Sequence, residues 1–323
     1  MSRLMLILIV GLSAYAALNL MCSLALAVAW RAGLLNNLAP SSSTRARRLA
    51  WWRAVPSFAA ALAALVIVVP AFVGFEPHRD AEAVGPILPI LALVTIAQFV
   101  ASCWLALASA IRTRIVARAW LRAGTPLDVE PPAGVPAYAI DSRAPIVALV
   151  GVFWPKLIAA RAVIDACTHE ELRAIVSHER GHLHARDNMK RWLMACAPDA
   201  LRWTPIHQEM CAAWHDAAED AADDVATGGD EGARVNLATL LVKIARLAPE
   251  PAWPVATVSP FVQQDGLARR VRRLLEPTVK NHRTASLWPL PAFFCAALVT
   301  AVASPGVLNT VFDIVETLVV FGR

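Results

Sequence analysis

Charge is scarce in this sequence, and its absence is patterned. Of 323 residues, 17% are Asp, Glu, Lys or Arg, 57% are hydrophobic, and the mean hydropathy is +0.51. Soluble domains carry about 25% charged residues, so a wholly soluble protein of this length is excluded. Four stretches hold no charged side chain at all: 4–30, 54–75, 84–111 and about 286–307. Each is long enough to cross roughly 30 Å of hydrocarbon as a helix. The lack of charged groups in these cores disfavours a transporter, and Asn19 and Gln98 read as hydrogen-bond partners between helices. C-x-x-C spacing is also missing. Cys22, Cys103 and Cys295 fall in apolar runs, while Cys167, Cys196 and Cys211 are scattered, so a disulfide framework is not expected. Internal repeats are absent too.

What charge there is sets the topology. Arg31, Arg45, Arg47, Arg48 and Arg53 follow the first run, and Arg112, Arg114, Arg118 and Arg122 follow the third. The 76–83 connection holds Glu76, Asp80 and Glu82 against Arg79 alone. Basic loops stay inside, which makes the first loop and the segment after residue 111 cytoplasmic. The N-terminus, the 76–83 hairpin and the tail after the fourth run then face outward. The first run is expected to be a retained anchor, since it far exceeds a signal h-region and only Arg3 precedes it. The net charge of +5 is concentrated at membrane ends, with Arg114, Arg118 and Arg122 at helical spacing, so lipid headgroups are the expected partner and nucleic acid is not.

Three parts result: a membrane region over 1–111, a cytoplasmic domain over 112–285, and a fourth span with an amphipathic tail over 286–323. In the tail, Val307, Val311, Ile314, Val315 and Leu318 share a helical face opposite Asn309 and Glu316, as in an interfacial helix, a partial fifth span or a partner contact. The domain opens on a Pro/Gly-rich linker over 124–136. Short alternating runs up to Asp165 then predict a two- or three-stranded sheet. Thr168 and Glu171 form a capping box that starts a helix running to about Ala195. Further helices are expected over about 206–227, 231–247 and 265–275, and Ser41 to Ser43 read as a polar loop.

Within the first of these helices stands "HERGH", His178 to His182. Residues four apart are separated by about 40° and one turn, so the two imidazoles can reach one metal ion. Glu179, beside that face, is placed to take a proton from a water activated by the metal and hand it to a leaving amine. Downstream, "EDAAD" supplies Glu219 as a third ligand and Asp223 as a hydrogen-bond partner for the outer nitrogen of a ligand histidine. Its alternative is a solvated acidic face, since Asp216, Asp220 and Asp224 are also present. His215, one turn before Glu219, is a candidate donor to a developing oxyanion. His184 lies about 200° from His182 and should point away. Arg186, Asp187 and Asn188 are read as organising the helix or a cleft, or as solvated. His207 has no better claim, and His169 belongs to the first helical turn.

These features resemble the BlaR/MecR-type antirepressor membrane metallopeptidases and, more distantly, the HtpX and CAAX-processing proteases. The resemblance rests on "APIVALVGVFWPKLIAARAVID", "EELRAIVSHERGHLHARDN", "WTPIHQEM", "EDAAD", "LLVKIARL" and "GLARRVRRLLEP", in that order over roughly 137–277. It implies a gluzincin-like site with Zn2+ on His178, His182 and Glu219 and with Glu179 as general base. It further implies a zincin-like α+β domain inserted between the third and fourth helices of a mainly α membrane protein. Its substrate would be a cytoplasmic protein such as a transcriptional repressor, or the chain itself, with a membrane sensor as possible partner and the bacterial inner membrane as location. Drug-sensing members add a penicillin-binding domain after the fourth helix; no counterpart is expected here, and no Ser-x-x-K occurs, the residues three before the lysines being Phe153, Asp187, Leu240 and Pro277. The competing reading is a non-catalytic receptor or scaffold with structural zinc, against which Glu179 weighs.

Overall fold

The computed structural model describes residues 2–35, 41–75, 85–127, 134–142, 144–247 and 264–276. In the C-terminal stretch it also describes 304, 306, 309, 310, 312–314 and 317. Most of the proposed fourth span, the 76–83 hairpin and most of the tail lie outside the described residues.

Among the described residues, three helical stretches are long and apolar enough to cross a membrane. The first is α1 (Arg3–Arg31), capped by the Ser2 hydroxyl. The second is α2 (Ser42–Ala63), a π turn at Ala64–Val68, and α3 (Val69–Phe75). This stretch starts earlier than the expected span and absorbs the supposed polar loop. Ser41 caps the helix by accepting the Thr44 amide, and Ala46 and Leu49 find an apolar partner in the domain. Its π turn sits just before Pro70, which lacks the amide an α turn would use. The third stretch is α4 (Ile87–Ala123), 37 residues long. It continues past the apolar run through Arg112, Arg114, Arg118 and Arg122, and Ala117 and Trp120 pack on the sheet. The spanning helix is thus itself the stalk of the domain.

The sheet has four strands rather than two or three: β1 (Thr125–Pro126), β2 (Ala137–Ile140), β3 (Val147–Val150) and β4 (Lys156–Ala160). Their order is β1-β2-β4-β3, with β2 and β4 parallel and the other pairs antiparallel. The extra strand falls in the supposed linker, where Thr125 and Pro126 pair with Ala139 and Tyr138. Two residues including a proline carry no alternation to read. One face of the sheet, with Ile140, Ala148, Val150 and Ile158, covers α4. The other contributes Val147, Leu149, Leu157 and Ala159 to the main core.

The helices opposite are α5 (Arg161–Ala166), α6 (His169–Ala185), α7 (Asp187–Cys196), α8 (Pro205–Thr227), α9 (Glu231–Arg246) and α10 (Gln264–Leu275). The Thr168/Glu171 capping box is present at the start of α6. The expected single helix to Ala195 is broken at Arg186, whose φ of 54° and ψ of 42° are left-handed. Thr204 caps α8 with Pro205 in its first turn, and Gly228 ends it at a φ of 57°. In the tail, the described residues 309, 310 and 312–314 are helical. Phe312 is buried against Val68, Phe72 and Leu88, whereas Ile314, assigned above to the apolar face, is exposed.

Candidate metal centre

Two helices build the site. From α6 come His178, Glu179 and His182; from α8 come Glu219 and Asp223, all five buried. The helices touch where α6 has no side chain: a Cβ on Gly181 would lie 3.0 Å from Ala222 Cα and 3.3 Å from its Cβ. That close approach brings the three expected ligands together, with one donor atom of each within 4.8 Å of the others.

The orientation of the donors is informative. His178 Nε2 and His182 Nε2 are 3.2 Å apart, and Glu219 places Oε2 3.5 Å from the first and Oε1 3.4 Å from the second. Each ring turns its outer nitrogen to a carboxylate. His178 Nδ1 is 3.0 Å from Asp223 Oδ1, and His182 Nδ1 is 2.9 Å from Asp187 Oδ2. A carboxylate at Nδ1 keeps the proton there and leaves the Nε2 lone pair for a cation. Two lone pairs and a carboxylate converging on one buried point repel one another unless a cation sits between them. The donor set therefore fits a metal ion on its own chemistry.

The sequence leaves Asp187 between a helix-organising and a solvated role, and the break at Arg186 explains its part. The left-handed residue turns the chain so that the first residue of α7 folds back onto His182, five positions earlier. Burial works against its charge, but the bond to His182 and the nearby Lys190 hold its carboxyl below the ordinary range. Arg270 on α10 lies within "GLARRVRRLLEP" but carries no role in the sequence reading. It donates to both oxygens of Asp223 and lies 3.0 Å from Glu219 Oε2. Burial opposes ionisation of Asp223 and Glu219, yet Arg270 and the histidines hold both carboxyls below their usual range.

Glu179 is held differently. Its Oε2 accepts the Leu149 amide of β3 at 3.1 Å, and no hydrogen bond reaches the buried Oε1. Burial pushes its carboxyl up to about 7, with the His182 charge opposing. Asn188 donates to the carbonyls of Leu149 and Gly151 at 2.9 and 3.0 Å, pinning this edge strand over the site. A cavity of about 320 Å3, lined in part by Leu149, Phe153, His182, Asp187 and Asn188, opens beside it.

Of the other histidines, His215 brings Nδ1 to 3.9 Å from Glu219 Oε1 and so belongs to the rim of the site. His184 is exposed, as its angle required, and His169 is exposed in the first turn of α6. His207 bonds Asp199, away from the ligands.

No curated protein matches the chain. Residues 110–249 match the model of Peptidase family M48, a zinc metallopeptidase family that includes HtpX and BlaR. This segment contains the sheet, α6 and α8, hence every residue of the centre except Arg270. Over 110–249 the chain is thus similar to the Peptidase M48 family, and the matched segment begins within the last of three helices long and apolar enough to cross a membrane.

Proposed function

We propose that the chain is an integral membrane zinc endopeptidase in signalling, of the BlaR/MecR antirepressor kind, with its domain on the cytoplasmic face. Its substrate is a cytoplasmic protein such as a transcriptional repressor, or its own chain, and its input arrives through the helices or a membrane sensor partner. The observation that carries the peptidase reading is the convergence of His178, His182 and Glu219, with Glu179 buried beside them on the same helix.

In this reading His178 Nε2, His182 Nε2 and Glu219 hold zinc. When bound, zinc supplies Lewis acidity that polarises a carbonyl and acidifies water. Glu179 accepts the proton of the attacking water and returns it to the leaving amine. Its burial beside the donor atoms, with one oxygen held by the Leu149 amide, positions it for that exchange. Asp223 and Asp187 fix the tautomers of His178 and His182, and Arg270 keeps Glu219 ionised and oriented. A structural zinc site has no use for a buried carboxylate at position 179.

The test compares new protein N-termini in cells expressing wild type or Glu179→Gln at equal membrane levels. Termini found only with wild type support the reading and name the substrate. Identical sets under several envelope stresses would favour the non-catalytic scaffold.

A further inference from the structure

The domain does not merely sit on the membrane helices; part of its chain enters them. Between α7 and α8, the Pro198 carbonyl accepts hydrogen bonds from Tyr15, Asn19 and Ser57 at 3.2, 2.8 and 2.6 Å. Next to it, the Ala200 amide donates to Asn19 Oδ1 at 3.1 Å, and Asp199 pairs with the buried Arg53. Arg202 reaches Ser102 on α4 at 3.0 Å.

Some of these partners lie deep. Asn19 is twelve residues before Arg31 and Ser102 is ten before Arg112, whereas Ser57 is about one turn past Arg53. At a rise of about 1.5 Å per residue, the first two are roughly 18 Å and roughly 15 Å below those arginines. Irregular backbone is tolerated at such depth only where protein groups satisfy it, as these three donors do for Pro198. The α7–α8 connection thus inserts between α1, α2 and α4 at the domain end of their apolar lengths.

Its surroundings are aromatic and uncovered. Trp203, on this connection, is 80% exposed, and Leu193 on α7 is 47% exposed. On the β3–β4 hairpin, Phe153 and Trp154 are 61% and 82% exposed, and Phe153 meets Trp192 of α7 edge-on at 5.7 Å. Left in water, such a patch is a liability, whereas aromatic rings at a headgroup boundary are favourable. Lys156, Arg186 and Lys190 stand beside it, suited to anionic headgroups.

We propose that the Gly151–Pro155 hairpin, α7 and Trp203 form a lipid-inserted anchor in the leaflet nearest the domain, with phospholipid covering the aromatic patch. Lipid is the occupant because these exposed rings flank, in the chain, a connection bonded to α1, α2 and α4 within their apolar lengths. Phe153 also lines the cavity next to His182, so the anchor holds the mouth of that cavity at the membrane surface. This inference is independent of the chemistry at the metal centre.

Photo-crosslinking of the full chain in phosphatidylcholine/phosphatidylglycerol vesicles tests it. The photoreactive residue p-benzoylphenylalanine replaces Trp154, Phe153 or Trp203 in separate proteins. Leu24 on α1, exposed and within a span, is the lipid-facing control, and the exposed Glu231 on α9 is the aqueous one. The expected result is a mass increase of one phospholipid at all three test positions and at Leu24, with none at Glu231. Adducts at Leu24 alone, or crosslinks from 153, 154 and 203 to another protein or a second copy of the chain, would overturn the proposal.

Discussion

Gly181→Ala perturbs the metal centre without touching a ligand. Gly181 faces Ala222 across the α6–α8 contact, and an added Cβ would meet the Ala222 backbone at 3.0 Å and Val225 Cβ at 3.4 Å. Ordinary contact begins near 3.4 Å, so the helices must part by a few tenths of an ångström. The backbone of α8 cannot yield alone, since Ala217, Ala218 and Ala222 around it are almost fully buried. Overpacking of this kind costs about 1–3 kcal/mol. Replacing a mid-helix glycine with alanine returns about 1 kcal/mol. The net expectation is destabilisation of about 0–2 kcal/mol, and because His182 is the next residue, the same displacement reaches the donor set. If it falls on metal binding, affinity drops by up to about 30-fold, a factor of ten per 1.4 kcal/mol. Competition with a fluorescent zinc chelator reads the affinity, and thermal unfolding in detergent reads the stability. Unchanged affinity together with a raised melting temperature would show that the contact is looser than described and would refute the reasoning.

Other perturbations isolate the supporting residues. Asp187→Asn and Asp223→Asn should each weaken zinc binding about 10- to 100-fold, as loss of a ligand histidine's partner does, and Asp223→Asn should also lower stability because it uncovers the buried Arg270; the same competition assay would detect the first effect, and equal affinities would remove these residues from the site. Arg270→Gln strips the shared cation from two buried carboxylates, and a loss of about 3–5 kcal/mol in unfolding free energy is expected. Arg270→Lys should restore only part of it, because the bidentate fork to Asp223 is lost. Asp199→Ala leaves Arg53 buried without its carboxylate, at a similar cost, and should also raise protease sensitivity between α7 and α8.

The ligand helices were legible because metal chemistry imposes a spacing. His178 and His182, and then Glu219 and Asp223, stand four apart, which a helix converts into one face whatever surrounds it. Glu179 came with them. Asp187 was not legible as a partner of His182, because the helical periodicity of α6 runs on through α7 and only the left-handed Arg186 reveals the turn. Arg270 was hidden by its neighbours: in "RRVRR" every arginine looks solvated, and its burial at 3% exposure depends on α10 packing over α8. The apolar runs gave three helices but not their ends, since α2 starts with a serine cap and α4 is prolonged by packing of Trp120 on the sheet. β1 is too short to carry a pattern. Nothing local in "CAPDALRWT" says that the Pro198 carbonyl accepts hydrogen bonds from Tyr15 and Asn19 far earlier in the chain.

The central claim is that His178, His182 and Glu219 hold one zinc ion that Glu179 serves as a base. It is tested most directly by measuring zinc content and affinity in the purified full chain for wild type, Glu179→Gln and Glu219→Ala. The account predicts one zinc per chain at equal affinity in wild type and Glu179→Gln, and a large loss of affinity in Glu219→Ala. Equal zinc in wild type and Glu219→Ala would contradict it.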